Sequence, residues 1–255
     1  MKVSYTTYVR DDISLDRCVG RLLQIKAPSD EIIICDRGST SPIMGSTYRF
    51  LSRTFLVKII YLNESDTIAA ARNAAAKLAT GDIIVSMDPD VILPYDVRQV
   101  LERVFADRKT QAAICPVYVY PWLETTANNF FLTLLNLRFR LSVVVSRFLR
   151  PIPFKWASQL FPCGRGEFQA FRTTAFQRLK GYAEGMYSGE DCDIVRRVAE
   201  MFGLGSVVWI NSLRVWEASD RYRKMGHLGV FWLWIGNSLK IALDLPIRYP
   251  HVPKT

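Results

Sequence analysis

The sequence predicts an α/β protein on a largely parallel sheet with helices on both faces. Three observations predict it. Short apolar runs rich in Ile and Val recur through the first half of the chain. Stretches with apolar residues at helical spacing separate them. Turn residues mark most of the junctions, so successive strands are joined by crossover helices. With 255 residues, 49% of them hydrophobic, the chain is long enough for one large domain of this kind or two small ones.

The elements follow in order. "KVSYTTYV" reads as a first strand. "SLDRCVGRLLQI" carries apolar residues at helical spacing, with Ser14 placed to cap it. "EIIIC" is a short buried strand, and "DRGSTSP" after it is turn chemistry. "LVKIIYL" is a third strand. "SDTIAAARNAAAKLATG" is a strong helix, with Ser65 or Asp66 as the cap and Gly81 just past its end. "DIIVSM" is a strand, "YDVRQVLERVFAD" a helix opened by Pro94, and "QAAICPVYVY" a further strand. In open sheets of this kind ligands bind outside the carboxyl ends of the strands. Thr7, Asp36 and Asp88 fall at or near such ends.

The second half changes character. Pro121 to Pro153 is long, apolar and basic, with no acidic residue after Glu124. "CGRGEFQAFRTTAFQRLKGY" is punctuated by glycine, with a short helix around Thr174 to Leu179. "SGEDCDIVRRVAEMFG" is a helix ending near Gly203, "GSVVWINS" a strand, and "HLGVFWLWIGNSLKIAL" a strongly apolar, aromatic tail.

Charge and composition narrow the function. The excess of 33 basic over 24 acidic residues, +9 in all, favours anionic partners: a nucleotide phosphate, a nucleic acid or an anionic membrane face. Five scattered cysteines with no C-x-x-C, and only two histidines, argue against a structural zinc site and for a reducing compartment. "MKVSYTTYVRDD" has no long apolar core of a secretory signal. The expected location is therefore the cytoplasm, with peripheral contact on the inner face of a membrane. There is no G-x-x-x-x-G-K and no G-x-G-x-x-G, which weakens ATPase and dinucleotide readings.

Four constellations carry chemistry. Asp88 and Asp90 flank Pro89 at a strand end. Two such acids make turns and helix caps, and they also suit a hard divalent cation, which takes one or two carboxylates together with phosphate oxygens and water. Asp36 ends another strand and serves either as a turn former or as an acceptor for a base or ribose. Arg72 and Asn73 interrupt an alanine-rich face, and the arginine either is solvated or points at a phosphate or base. In "SGEDCDIVRR", Ser188 and Asp191 have capping-box spacing and the first-turn acids complement the helix dipole; equally, a carboxylate there could take the proton of a substrate hydroxyl.

In this order and at these separations the four resemble the family 2 glycosyltransferases of the GT-A fold. The residues that carry the resemblance are D-R-G-S-T-S at Asp36 to Ser41, A-R-N-A at Ala71 to Ala74, G-D-I-I-V-S-M-D-P-D at Gly81 to Asp90, and G-E-D-C-D-I-V-R-R at Gly189 to Arg197. "SDRYRKMG" is similar to a stretch that follows in many members, so the resemblance covers roughly residues 1–226. It implies a Rossmann-like, mostly parallel central sheet flanked by helices, with additional C-terminal helices. Residues 1–226 would be the transferase domain, 1–120 its nucleotide-sugar half and 121–226 its acceptor half with an inserted basic apolar helix; 227–255 would be an apolar aromatic helix and tail.

The implied activity is that of a metal-dependent, inverting glycosyltransferase of the hexosyltransferase class. Its donor would be a UDP- or GDP-sugar and its acceptor a glycan, a lipid-linked group or a protein. Carried over, Thr7 lines the base and ribose pocket, Asp36 contacts the base, and Arg72 reaches the base or diphosphate. Asp88 touches the ribose or metal, and Asp90 is the main ligand of Mn²⁺ or Mg²⁺. Asp191 is the general base and Glu190 orients the acceptor or adjusts the base. Nucleic acid is not an expected partner. Three departures stand out: Arg37 replaces the usual second acid of the turn, Val9 stands where many members have asparagine, and "LRVWEASD" offers Glu217 or Trp216 where some members have a metal-binding histidine.

Two other readings compete. A nucleotidyltransferase also pairs aspartates with a metal, but it usually has a Gly-rich basic loop near the start. A non-catalytic basic protein on a degenerate transferase scaffold would bind nucleic acid or membrane; retention of both acidic pairs argues against it. The two apolar segments, 124–150 with Arg138, Arg140, Arg147 and Arg150, and 227–243 with Phe231, Trp232 and Trp234, read as interfacial helices rather than spans. Their alternative is packing on the core or a homo-oligomer contact.

Overall fold

Alternation along each strand sets the layers of this fold. The computed structural model describes residues 1–54, 57–63, 67–120, 126–148, 164–186, 189–203, 205–218 and 220–242. Along them run β1 (Val3–Val9), α1 (Leu15–Ile25), β2 (Glu31–Asp36), α2 (Pro42–Leu51), β3 (Val57–Tyr61), α3 (Ile68–Lys77), β4 (Ile83–Met87) and α4 (Val97–Ala106). There follow β5 (Ala112–Ile114), β6 (Val117–Tyr120), α5 (Thr126–Ser146), β7 (Phe168–Arg172), α6 (Thr173–Arg178), α7 (Glu190–Phe202), β8 (Val207–Trp209), β9 (Val215–Ala218) and α8 (Asp220–Ala242). The main sheet has seven strands in the order β3-β2-β1-β4-β7-β5-β8. Its pairs are parallel except where β7 runs antiparallel between β4 and β5. Strands β6 and β9 form a separate parallel pair. The expectation of an α/β protein with a largely parallel sheet holds, with one reversed strand.

Successive side chains of a strand point to opposite faces. Val3, Tyr5 and Val9 of β1, Ile32 and Ile34 of β2, and Ile83, Val85 and Met87 of β4 meet α1, α2 and α4 on one face. On the other, Ile33 and Cys35 meet Ala71 and Ala75 of α3, and Ile84 joins Phe171 with residues of α5, α6 and α7. The alanines of α3 let its backbone lie close to the sheet, so Arg72 and Asn73 are buried with them.

Several local expectations are corrected. Ser14 makes no side-chain cap; its N–H donates to Asp12 Oδ1 (3.0 Å). Ser65 and Asp66 lie outside the described residues, and the cap of α3 is Thr67, which accepts from Ala70 N (3.1 Å). Gly81 is not the residue that ends this helix. A Cβ there would meet Ser4 Oγ at 2.7 Å and Ser4 N at 2.8 Å, so its task is close approach to β1. "QAAICPVYVY" is two strands in two sheets: Pro116 has no N–H for the ladder, and the chain leaves β5 there and enters β6. Helix α2 and strands β7 and β9 go unread in the sequence. Cys18, Cys35 and Cys115 are free and buried.

Glu31 ties β1, β2, β3 and the turn before β4 together. Its carboxylate accepts from Ser4 Oγ, Thr80 N, Thr80 Oγ1 and Lys58 Nζ, each at 2.7 Å. Burial opposes its ionisation, but Lys58, Ser4 and Thr80 outweigh it, and the carboxyl sits at about 2. A carboxyl lowered in this way stabilises the fold above its unfolded pKa, and that stabilisation is lost as pH falls towards 2. Glu31→Ala should lower unfolding stability by about 3 kcal/mol, since buried donors lose their acceptor. Urea denaturation checks it, and the gap from the unsubstituted chain should narrow in acid.

Both apolar segments form helices, α5 and α8, within the described residues. Asn136 of α5 accepts from Val117 N (3.0 Å) and donates to Val117 O (3.1 Å), which fixes α5 at the start of β6. Helix α8 breaks at Gly226, whose φ of 68° and ψ of 167° only glycine adopts readily. Among the described residues, no helix is long and apolar enough to cross a membrane.

Candidate functional site

Parity along the strands brings the site together. Tyr8 and Ser86 lie on the α3 face of β1 and β4, and Arg72 projects from α3 towards them. Arg72 Nη1 donates to Ser86 Oγ (2.8 Å) and Nη2 to Asp88 Oδ1 (2.5 Å). The guanidinium lies 5.0 Å from the ring centroid of Tyr8 and 5.5 Å from that of Tyr182, within cation–π range. Burial would pull this guanidinium down, but Asp88, Tyr182 and Tyr8 outweigh it, and it stays charged. The Tyr8 phenol is held well above its usual range by burial and then by Asp88.

Glu190 and Asp191 open α7. Ser188, the expected capping residue, lies outside the described residues. The N-cap is Gly189 at φ 79°, with no side-chain cap. Asp191 Oδ1 accepts from Cys192 N (2.8 Å), and the Asp191 carbonyl accepts from Gln169 Nε2 (2.8 Å), which in turn takes the Tyr182 hydroxyl on Oε1 (2.9 Å). Gly166 stands between the two charged groups: a Cβ there would be 2.7 Å from Arg72 Nη2 and 3.5 Å from Asp191 Oδ2. Burial raises the Asp191 carboxyl, Glu190 and Glu167 raise it further, and it reaches about 8. Glu190 is raised too, by burial, with Arg72 working against it. A carboxyl so placed holds a proton at neutral pH and releases it just above, which suits proton exchange with a hydroxyl.

The remaining acids divide between structure and site. Asp193 accepts from Arg196 Nη2 (2.9 Å) and Arg197 Nε (2.7 Å), while Arg197 donates to Leu179 O and Gly181 O (2.9 and 2.8 Å). Asn73 completes that clamp: its Nδ2 donates to Tyr182 O, and its Oδ1 accepts from Tyr182 N (2.9 and 2.8 Å). Gly181 sits at φ 74°, where a Cβ would collide with Asn73 Oδ1. Gly181→Ala should cost about 3 kcal/mol, from the left-handed backbone and the displaced amide, read as a lower thermal midpoint.

Asp36 is buried at the end of β2, opposite Val9 of β1 and Tyr61 of β3, and its Oδ1 accepts from Ser39 N (2.8 Å). The turn-former role is therefore present. Thr7 is buried, with its hydroxyl 3.3 Å from Tyr8 O. The described contacts join neither to the Arg72 cluster. Asp90 is half-buried beside it and contributes to the field on Tyr8. Glu217 is buried in a network in which Arg165 Nη2 donates to it (2.5 Å) and to Glu167 Oε1 (2.7 Å), and the Tyr222 hydroxyl donates to it (3.0 Å). Among the described residues no group of three His, Cys, Asp or Glu could hold a metal. Two strand-end carboxylates fit a divalent cation that arrives with phosphate oxygens, rather than a resident cage.

Sequence reasoning missed Tyr8, Ser86, Gly166, Gln169 and Tyr182. Tyr8 and Ser86 could have been found from strand parity, because both share the face on which Arg72 sits. The others carry no local signal, since each acts across more than ten residues of chain.

Comparison with known proteins bears on the family and the fold. The sequence matches the family described as Glycosyl transferase family 2 over residues 6–179. A search of curated proteins returns no match. Among solved structures, the fold is similar to the mannosyltransferase PcManGT from Pyrobaculum calidifontis in complex with GDP-Man and Mn²⁺, with a TM-score of 0.64 and 17% identity over 97% of this chain and 65% of that one. It is also similar to S. aureus TarS 1-349 (TM-score 0.62, 13% identity, 95% of this chain and 69% of that one). A third is GalNAc-T7 with UDP, GalNAc and Mn²⁺ (0.62, 15% identity, 86% and 44%). The chain thus spans less than two thirds of the first and third of these structures. At such identities the likeness establishes the fold, which is GT-A. The family match covers more than half of the chain, and the chain belongs to glycosyl transferase family 2.

Proposed function

We propose that this chain transfers a sugar from a UDP- or GDP-sugar to an acceptor hydroxyl in a single, inverting displacement. One observation carries the reading: a buried carboxyl raised towards neutrality, Asp191, faces a charged Arg72–Asp88 pair across Gly166 at the carboxyl ends of β1 and β4. One group is suited to take a proton and the other to hold an anionic donor. Similar folds bound to GDP-Man or UDP support the donor class.

On this reading residues 1–120 hold the donor and 121–226 the acceptor, a glycan, a lipid-linked group or a protein. Thr7 and Asp36 bound the nucleoside, Asp88 the ribose, and Arg72 the base or diphosphate. Asp90, helped by Asp88, would hold Mn²⁺ or Mg²⁺, which neutralises charge on the departing diphosphate. Asp191 takes the proton of the attacking hydroxyl while Glu190 keeps its proton affinity high. Gln169 fixes the first turn of α7, so the base is oriented before the acceptor arrives. Part of the reading is that transfer runs on a membrane surface, which the two apolar helices support.

The test is a thermal-shift panel of UDP, GDP, dTDP and their common sugars with Mn²⁺, with Mg²⁺ and with EDTA. A ligand at a hundred times its Kd adds about 2.7 kcal/mol, or roughly 5–10 °C for a chain of this size. Stabilisation by one nucleotide only with metal supports the donor site and names the base. No shift with any of them overturns the reading.

A further inference from the structure

From the outward faces of α5 and α8 we infer that this protein docks on an anionic lipid bilayer, with the arginines of α5 flanking the contact. The inference deepens the membrane setting proposed above and rests on it, but does not depend on the transfer chemistry. Helix α5 packs inward through Leu132, Asn136, Phe139, Val143 and Ser146, all buried. Its opposite face carries Leu134, Leu137, Leu141 and Val144, and Phe148 continues the stripe just past the helix end. They are 48%, 43%, 50%, 37% and 78% exposed. Their spacing of three, four, three and four residues makes one line along the helix. A surface helix of a water-soluble domain puts polar residues there.

Helix α8 repeats the pattern. Val230 and Asn237 are buried, while Leu228, Phe231, Trp232 and Leu239 are exposed. The two helices are neighbours, because Leu132 of α5 and Val230 of α8 share one cluster with Val119 and Tyr222.

Charge selects the occupant. Arg140 and Arg147 are exposed along the α5 stripe, and residues 125–166 contain no Asp or Glu. A second copy packed on this face would set arginines against arginines. A neutral partner would cover the leucines and leave Arg140 and Arg147 beside an apolar surface. Anionic headgroups over an acyl layer meet both needs, as they do for interfacial helices rich in basic residues.

The test is flotation of the full chain with vesicles of phosphatidylcholine, alone or with phosphatidylglycerol. Capture is expected on the anionic vesicles, weakening as salt rises. Leu137→Ser with Leu141→Ser should lower the partition coefficient at least about tenfold, and Arg140→Gln with Arg147→Gln about twenty-five-fold, roughly five-fold for each charge. Both pairs are exposed, so thermal midpoints and the nucleotide response in solution should stay unchanged. That response separates a failure of this inference from a failure of the transferase reading. Equal capture by neutral vesicles, no capture by either, or full capture of both variants would overturn it. So would a dimer in sedimentation equilibrium that the serine variant dissolves, which would assign the face to a second copy.

Discussion

Asp191→Asn should lower kcat by about a thousand-fold while nucleotide-sugar binding persists. The amide has no proton-accepting carboxylate, and a positioned base contributes about 10²–10⁴. The proposed donor residues are others, so the thermal shift with nucleotide should survive. For the unsubstituted enzyme, kcat/KM should fall as pH drops through about 8, because only the ionised Asp191 can act as base. Glu190→Gln removes the largest neighbouring charge that raises Asp191, so the midpoint should move to lower pH. An unmoved midpoint in that variant would break the proposed coupling. Stability runs the other way. A carboxyl raised by folding favours the folded state below its unfolded pKa, and that contribution is lost as pH rises through about 8. Asp191→Asn should therefore unfold at a higher temperature than the unsubstituted chain in alkaline buffer, the usual opposition between an activated group and a comfortable one.

Asp90→Ala should abolish metal-dependent nucleotide stabilisation and leave the free chain folded. Asp88→Ala should behave differently. Arg72 is 3% exposed and loses its carboxylate partner in that variant, and a broken buried pair costs about 3–5 kcal/mol. Calorimetry of both variants, with and without UDP, GDP and Mn²⁺, separates the roles. A fall in the unfolding temperature of Asp90→Ala as large as that of Asp88→Ala would make Asp90 a structural turn residue and overturn its proposed role as a metal ligand.

Apart from helix α2, the first half of the fold was legible because its strands are apolar runs between turn residues and its helices have apolar residues at helical spacing. The second half was less so. Strand β7, "FQAFR", reads as neither alternating nor continuously apolar, yet it is buried between β4 and β5, with Gln169 held by Tyr182 and by the backbone of Asp191. Strand β9 owes its place to pairing with β6, and through Trp216 to Ile92, contacts more than ninety residues apart in the chain. Glu217 on that strand accepts from Arg165 and Tyr222, partners that no spacing reveals.

The sequence by itself determined the α/β class, the family and the identity of the acidic and basic groups, because short-range periodicity and motif order are local properties. Only the tertiary structure decided what those groups do to one another. It paired Arg72 with Asp88, turned Asp193 into a clamp on the loop before α7, and seated Asp191 against Gly166 in a site where burial and Glu190 raise its proton affinity. Those outcomes depend on burial and on charge separation across distant segments, quantities that exist only once the chain has folded.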